Sequence, residues 1–174
     1  MQCIGIASRR CRLLPSWLPM EWTERFLEVG HLPIELERCD HKGNRDILAV
    51  IPAYNEQNNI LKVIRDVQAE LPMADILVIN DCSLDRTSEM ARLTSGVQVI
   101  DLPCNLGIGG AMQTGFKFAM AAGYQYVVQI DGDGQHVPGE VDKLMETMQR
   151  SRCDMVIGSR FLDVESFRTT RCRR

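Results

Sequence analysis

From Asp46 onward the chain alternates short apolar runs with stretches that repeat at helical spacing. Ile47–Ile51 and Ile76–Ile79 are continuous apolar runs, the pattern of buried strands, and Val97–Leu102, Tyr126–Ile130 and Met155–Ile157 read as three further strands. Between them, Ile60, Leu61, Val63, Ile64, Val67 and Leu71 fall on one helical face, with Asn55 or Asn58 placed to cap it and Pro72 to end it. Asp85–Leu93 predicts a second helix closed by Gly96, and Gly109–Ala122 a third closed by Gly123. A fourth begins near Pro138, with Val141, Leu144, Met145 and Met148 as its stripe. Strands alternating with amphipathic helices predict an α/β fold, a mostly parallel sheet with helices on both faces.

The first 45 residues have no sustained period beyond a short helical spacing at Trp22, Phe26 and Val29. They read as an N-terminal appendage to one domain over residues 46–174. No apolar run approaches the roughly 20 residues a membrane-spanning helix needs, and Pro15 and Pro19 break the N-terminal stretch, so no secretory leader is expected. The formal net charge of -3 argues against a nucleic-acid surface. A basic cluster at Arg168, Arg171, Arg173 and Arg174 is the exception, suited to peripheral contact with anionic lipid. Seven cysteines, odd in number and without CxxC spacing, support neither a zinc ribbon nor a redox motif. Free thiols in a reducing cytosol are the simpler account.

The polar and glycine-rich residues gather after the strand ends, where ligands bind in such sheets. In Asp131-Gly132-Asp133, residues two apart in an extended segment point the same way, and Gly132 lets the chain turn. The pair can offer two carboxylates to Mg²⁺ or Mn²⁺, which in turn bridges to phosphate. Alone, such a triplet is more often a solvated turn. Asp81 ends another strand and can accept from the imino edge of uracil or guanine; the competing role is to cap the following helix, for which Ser83 and Asp85 also qualify. Arg160 can hold a phosphate bidentately or pair with Asp163 or Glu165, and His136 can reach the metal or a phosphate or simply pack in its loop. The glycines of Asn105–Gly115 do not make a dinucleotide fingerprint, because Met112 stands where the third glycine belongs. Packing of backbone against a nucleotide, or of helix against sheet, explains them better.

The segments VIPAYNE (Val50–Glu56), VINDCSLDRT (Val78–Thr87), NLGIGGAMQTGFKFA (Asn105–Ala119), QIDGDGQH (Gln129–His136) and VIGSRF (Val156–Phe161) together resemble glycosyltransferase family 2, in particular its polyprenyl-phosphate (dolichyl-phosphate) mannosyl- and glucosyltransferase-like bacterial members. The resemblance implies a GT-A fold, a UDP- or GDP-sugar donor, a divalent cation and a polyprenyl-phosphate or glycan acceptor. It implies nucleotide-sugar contacts at Pro52, Ala53, Tyr54, Glu56, Asp81, Gly109, Asp131 and Gln135, metal binding by Asp133, Asp131 and His136, and catalytic roles for Asp131, Asp133 and Arg160. It also implies inversion at the anomeric carbon and a cytoplasmic location at the membrane face. The family has Asp-Asp-Gly-Ser where this chain has Asn80-Asp81-Cys82-Ser83, and its members continue well past Arg174, so the acceptor half is expected to be incomplete here. The alternative from another class is a nucleotide-sugar-binding fragment without turnover. A sugar-1-phosphate nucleotidyltransferase would carry a Gly-rich basic loop where Pro52–Glu56 stands.

Overall fold

The computed structural model describes residues 5–8, 46–134 and 138–158. In chain order the elements are β1 (Gly5–Ser8), β2 (Ile47–Ala53), α1 (Ile60–Glu70), β3 (Ala74–Asn80), α2 (Thr87–Arg92), β4 (Val97–Asp101), α3 (Gly107–Ala122), β5 (Tyr126–Gln129), a 3₁₀ turn (Pro138–Glu140), α4 (Val141–Ser151) and β6 (Met155–Ile157). The six strands form one sheet in the order β4-β3-β2-β5-β1-β6.

β2 pairs in parallel with both β3 and β5, and β3 with β4. β1 is antiparallel to β5 and to β6, so β6 again runs with the parallel block. The sheet is therefore mostly parallel, as the pattern predicts. The sequence predicts no strand before Asp46, yet Gly5–Ser8 lies within the sheet with Ile6 fully buried. The part of the expected appendage that is described is thus a sheet strand. The predicted helix over Glu21–Val29 and the basic cluster at the C-terminus lie outside the described residues.

Strands buried on both faces divide their side chains by parity. Ala49, Ile51, Ile76, Val78 and Val128 pack with Ile60, Val63, Ile64 and Val67 of α1, Ala91 of α2, and Val141 and Met148 of α4. Leu48, Val50, Leu77, Ile79 and Val127 pack on the other side with Ala111, Met112, Phe118 and Ala119 of α3. A Cβ at Gly115 would stand 2.6 Å from Val50 Cγ1, so this glycine sets how closely α3 lies on the sheet. At the other end of α3, Gly123 closes the helix at φ 88 with its N–H on Ala119 C=O, the left-handed cap that glycine suits.

α1 starts at Ile60 with Asn59 in the capping position and no side-chain cap; neither Asn55 nor Asn58 fills that role. β6 forms where the sequence predicts a strand, at the sheet edge, with Met155 and Ile157 each more than half exposed.

Candidate nucleotide-binding cleft

The connection from β4 to β5 carries the chain past β3 and β2, so the order reverses between β2 and β5. Neighbouring loops there leave in opposite directions and open a crevice at the carboxyl ends of the strands. A cleft of about 530 Å³, counting the solvent at its mouth, lies at this point. It is lined by Pro52, Ala53, Tyr54 and Glu56 after β2, Asp81 after β3, Ile108 and Ala111 of α3, and Asp131, Gly132 and Asp133 after β5. Three carboxylate-bearing strand ends, separate in sequence, thus share one open cleft.

Asp131 and Asp81 are nearly fully buried (5 % and 4 % exposed), while Asp133 is half-buried. Gln129 Nε2 donates to Asp131 Oδ1 at 3.1 Å. Gly132 does not have positive φ; it matters because a Cβ there would meet Pro52 O at 3.1 Å and Ala53 Cβ at 3.3 Å. The glycine lets the acidic loop close on the end of β2, which is a matter of space rather than of turning. Among the described residues no three His, Cys, Asp or Glu side chains converge as an all-protein metal cage requires. Two carboxylates on a cleft, with water and phosphate oxygens completing the shell, is the donor set Mg²⁺ ordinarily accepts, so the residues present fit a hard divalent cation. Gln135, His136 and Arg160 lie outside the described residues.

Asp81 does not cap the helix that follows it. Its N–H donates to Ala53 C=O, and its Oδ1 accepts the Leu106 N–H at 2.7 Å, the only hydrogen bond to this carboxylate among the described residues. The side chain thus ties the end of β3 to the entry of α3, whose next amide, Gly107 N–H, is taken by Asn105 Oδ1. Gly109 sits in the first turn of α3 between the lining residues Ile108 and Ala111, and a Cβ on it would meet nothing within 4 Å.

The loops after β2 and β3 fasten to each other, an arrangement the sequence does not announce because the partners are about thirty residues apart. Asn55, Glu56 and Gln57 donate their backbone N–H groups to Ser83 Oγ (2.9 Å), Thr87 Oγ1 (2.8 Å) and Asp85 Oδ2 (3.1 Å). In return Leu84 N–H donates to Asn55 Oδ1 and Arg86 N–H to Gln57 Oε1. Burial works against ionised Asp85, but hydrogen bonds from the Thr87 hydroxyl, the Thr87 N–H and the Gln57 N–H outweigh it and hold the carboxyl below the usual range. Ser83 and Asp85, candidate caps by sequence, are therefore cross-loop acceptors as well.

No helix among the described residues is long and apolar enough to cross a membrane. Comparison with known proteins agrees with the topology. The family described as glycosyl transferase family 2 matches residues 48–172. An undecaprenyl-phosphate mannosyltransferase of Micrococcus luteus is 33% identical over 118 residues, 66% of this chain and 48% of that protein. A polyprenol monophosphomannose synthase of Mycolicibacterium smegmatis is 32% identical over 120 residues, 66% of this chain and 45% of that protein. This chain spans about half the length of the curated relatives it matches. A mannosyltransferase from Pyrobaculum calidifontis, solved with GDP-Man and Mn2+, superposes with a TM-score of 0.51 at 15% identity, covering 59% of this chain and 32% of that one, a likeness of fold alone. With a family match over most of its length and a switch-point cleft formed by the matched motifs, the chain belongs to glycosyltransferase family 2.

Proposed function

We propose that this chain forms the donor half of an inverting glycosyltransferase that moves a sugar from a UDP- or GDP-sugar to an acceptor, polyprenyl phosphate being the acceptor class best supported. The observation that carries this reading is the convergence on one cleft of Asp81 after β3, Asp131 and Asp133 after β5, and Pro52, Ala53, Tyr54 and Glu56 at the end of β2. Asp81, tied through one oxygen to the entry of α3, would accept the imino N–H of the base. Asp131 and Asp133 would hold Mg²⁺ or Mn²⁺, whose contribution when bound is to neutralise charge developing on the departing diphosphate. Gln135, His136 and Arg160 are assigned to the diphosphate, sugar and acceptor side by resemblance. Orientation of donor against acceptor supplies much of the remaining acceleration, and in-line displacement inverts the anomeric centre. A phosphate monoester acceptor is already anionic and needs little help from a base, whereas a sugar hydroxyl would need one. The names of the two mannosyl-transferring relatives favour mannose and a lipid-phosphate acceptor.

The direct test is transfer of labelled mannose or glucose from the GDP- or UDP-sugar to polyprenyl phosphate, read as label in the organic phase. Label dependent on Mn²⁺ and on Asp133 supports the reading. A second reading, a nucleotide-sugar-binding module that turns over only with further chain, is favoured by the span of about half of the relatives. It predicts nucleotide binding without transfer. Peripheral attachment at the cytoplasmic membrane face through Arg168, Arg171, Arg173 and Arg174 belongs to the same proposal, and lack of sedimentation with anionic liposomes counts against it.

A further inference from the structure

We infer that Thr87 is a positioning residue for the cleft, acting through Glu56, with its hydroxyl aimed by Asp85. The inference rests on reading the cleft as a nucleotide site. Thr87 opens α2 and is fully buried, yet none of the cleft is lined by it. Its hydroxyl donates to Asp85 Oδ1, which also accepts the Thr87 N–H at 2.9 Å. With the proton committed to Asp85, a lone pair of the Thr87 oxygen faces the Glu56 N–H, which donates to it at 2.8 Å. The other Asp85 oxygen takes the next amide, Gln57 N–H, at 3.1 Å. One hydroxyl and one carboxylate at the head of α2 therefore fix two successive backbone amides of the β2 loop.

The consequence for the cleft follows from where Glu56 lies. It is the last lining residue on the β2 side, and its C=O accepts the N–H groups of Asn59 and Ile60, which begin α1. Turning the Glu56 peptide would shift both the cleft wall and the start of α1. A wall held in advance by hydrogen bonds need not be ordered when ligand arrives, which is how preorganisation contributes to affinity. The hydroxyl, not the bulk of the side chain, carries the role.

Two substitutions separate those contributions. Thr87→Val keeps the shape and removes the hydroxyl; Thr87→Ser keeps the hydroxyl and removes a buried methyl. In the full chain, each variant is titrated with UDP and GDP in the presence of Mn²⁺, and exchange of the Glu56 backbone amide is followed, with thermal melting as the check on folding. The expected result is about tenfold weaker nucleotide binding and faster Glu56 exchange in Thr87→Val, with Thr87→Ser within about threefold of the parent in both, the size of effect one buried hydrogen bond commonly carries. The reverse order, Ser weakened and Val unaffected, indicates packing and overturns the inference, as does equal loss in both. If the parent chain binds neither nucleotide, the nucleotide reading fails by itself; Glu56 exchange then decides, faster in Val alone supporting the positioning role and unchanged in Val overturning it.

Discussion

Asn80 donates its side-chain amide to Asp101 Oδ1 at 2.8 Å, joining the last residues of two paired strands, β3 and β4. The same Asn80 accepts the Ser83 N–H at 3.3 Å, and Asp101 is held from its other oxygen by Arg92 at 2.7 Å. This gives a physical reason for one departure from the family pattern. An aspartate at position 80, 5 % exposed, would place a carboxylate against Asp101. Asn80→Asp is expected to cost about 1–3 kcal/mol at neutral pH, the range for a buried hydrogen bond turned into a like-charge contact. Urea unfolding measures it. Adding Asp101→Asn should restore most of the loss, and a destabilisation that the second change leaves untouched would point elsewhere.

The other departure is Cys82, which stands where the family has glycine and adopts φ 57. A side chain in the left-handed region costs about 1–2 kcal/mol, part of which glycine returns through the greater freedom of its unfolded chain. Cys82→Gly is therefore expected to be stabilising by roughly 0.5–1 kcal/mol in the same unfolding experiment. A clear loss of stability would mean that the Cys82 thiol, 3.8 Å from Pro103 O, contributes more than its backbone costs.

Acid should weaken the fold through Asp101 and Asp85. Burial raises the Asp101 carboxyl, but the Ser88, Arg92 and Asn80 side chains outweigh it and hold it below the usual range; Asp85 is likewise lowered. A depressed folded-state value stabilises fully above the unfolded value of about 3.9 and loses that stabilisation as pH falls through the folded one. Urea midpoints measured from pH 6 downward should fall most steeply below about pH 4, and Asp101→Asn should flatten that fall while lowering the midpoint at pH 6. An unchanged slope in the variant would exclude Asp101 as a contributor.

Two glycines of α3 should respond oppositely to alanine. At Gly115 the new Cβ meets Val50 at 2.6 Å, so Gly115→Ala should destabilise by about 1–3 kcal/mol, with Val50→Ala partly compensating. At Gly109 the Cβ meets nothing, so Gly109→Ala should raise the melting temperature through helix propensity worth up to about 1 kcal/mol. If Gly109 also approaches the nucleotide, as the resemblance implies, the same variant binds UDP or GDP more weakly although it is more stable. Unchanged affinity would remove Gly109 from the binding set.

Much of this architecture is legible in the sequence. β2 and β3 stand out because both faces are covered, which turns each into a nearly continuous apolar run, while β4 and β5 stand out as shorter apolar stretches between helical segments. Asp81, Asp131, Asp133 and Pro52–Glu56 stand out because a parallel sheet delivers its loops to one edge. β1 does not, since four residues without alternation carry no period; β6 is legible as a strand, although not the exposure of Met155 and Ile157. The clasp of Asn55, Gln57, Ser83, Asp85 and Thr87 is invisible to any local pattern: its bonds join residues that only the β2–β3 register brings together. Ile108 and Ala111 line the cleft for a similar reason, since a helix face meets a cavity only once the sheet is folded.

We propose that the cleft at the β2–β5 switch point binds a nucleoside diphosphate through a cation on Asp131 and Asp133. Calorimetric titration of the chain with UDP and GDP, in Mn²⁺ and in EDTA, tests it most directly. Saturable binding of one nucleotide is expected in Mn²⁺, weakened about tenfold or more by EDTA and by Asp133→Ala. Binding of neither nucleotide by a chain that melts cooperatively, or binding indifferent to both EDTA and Asp133→Ala, would contradict it.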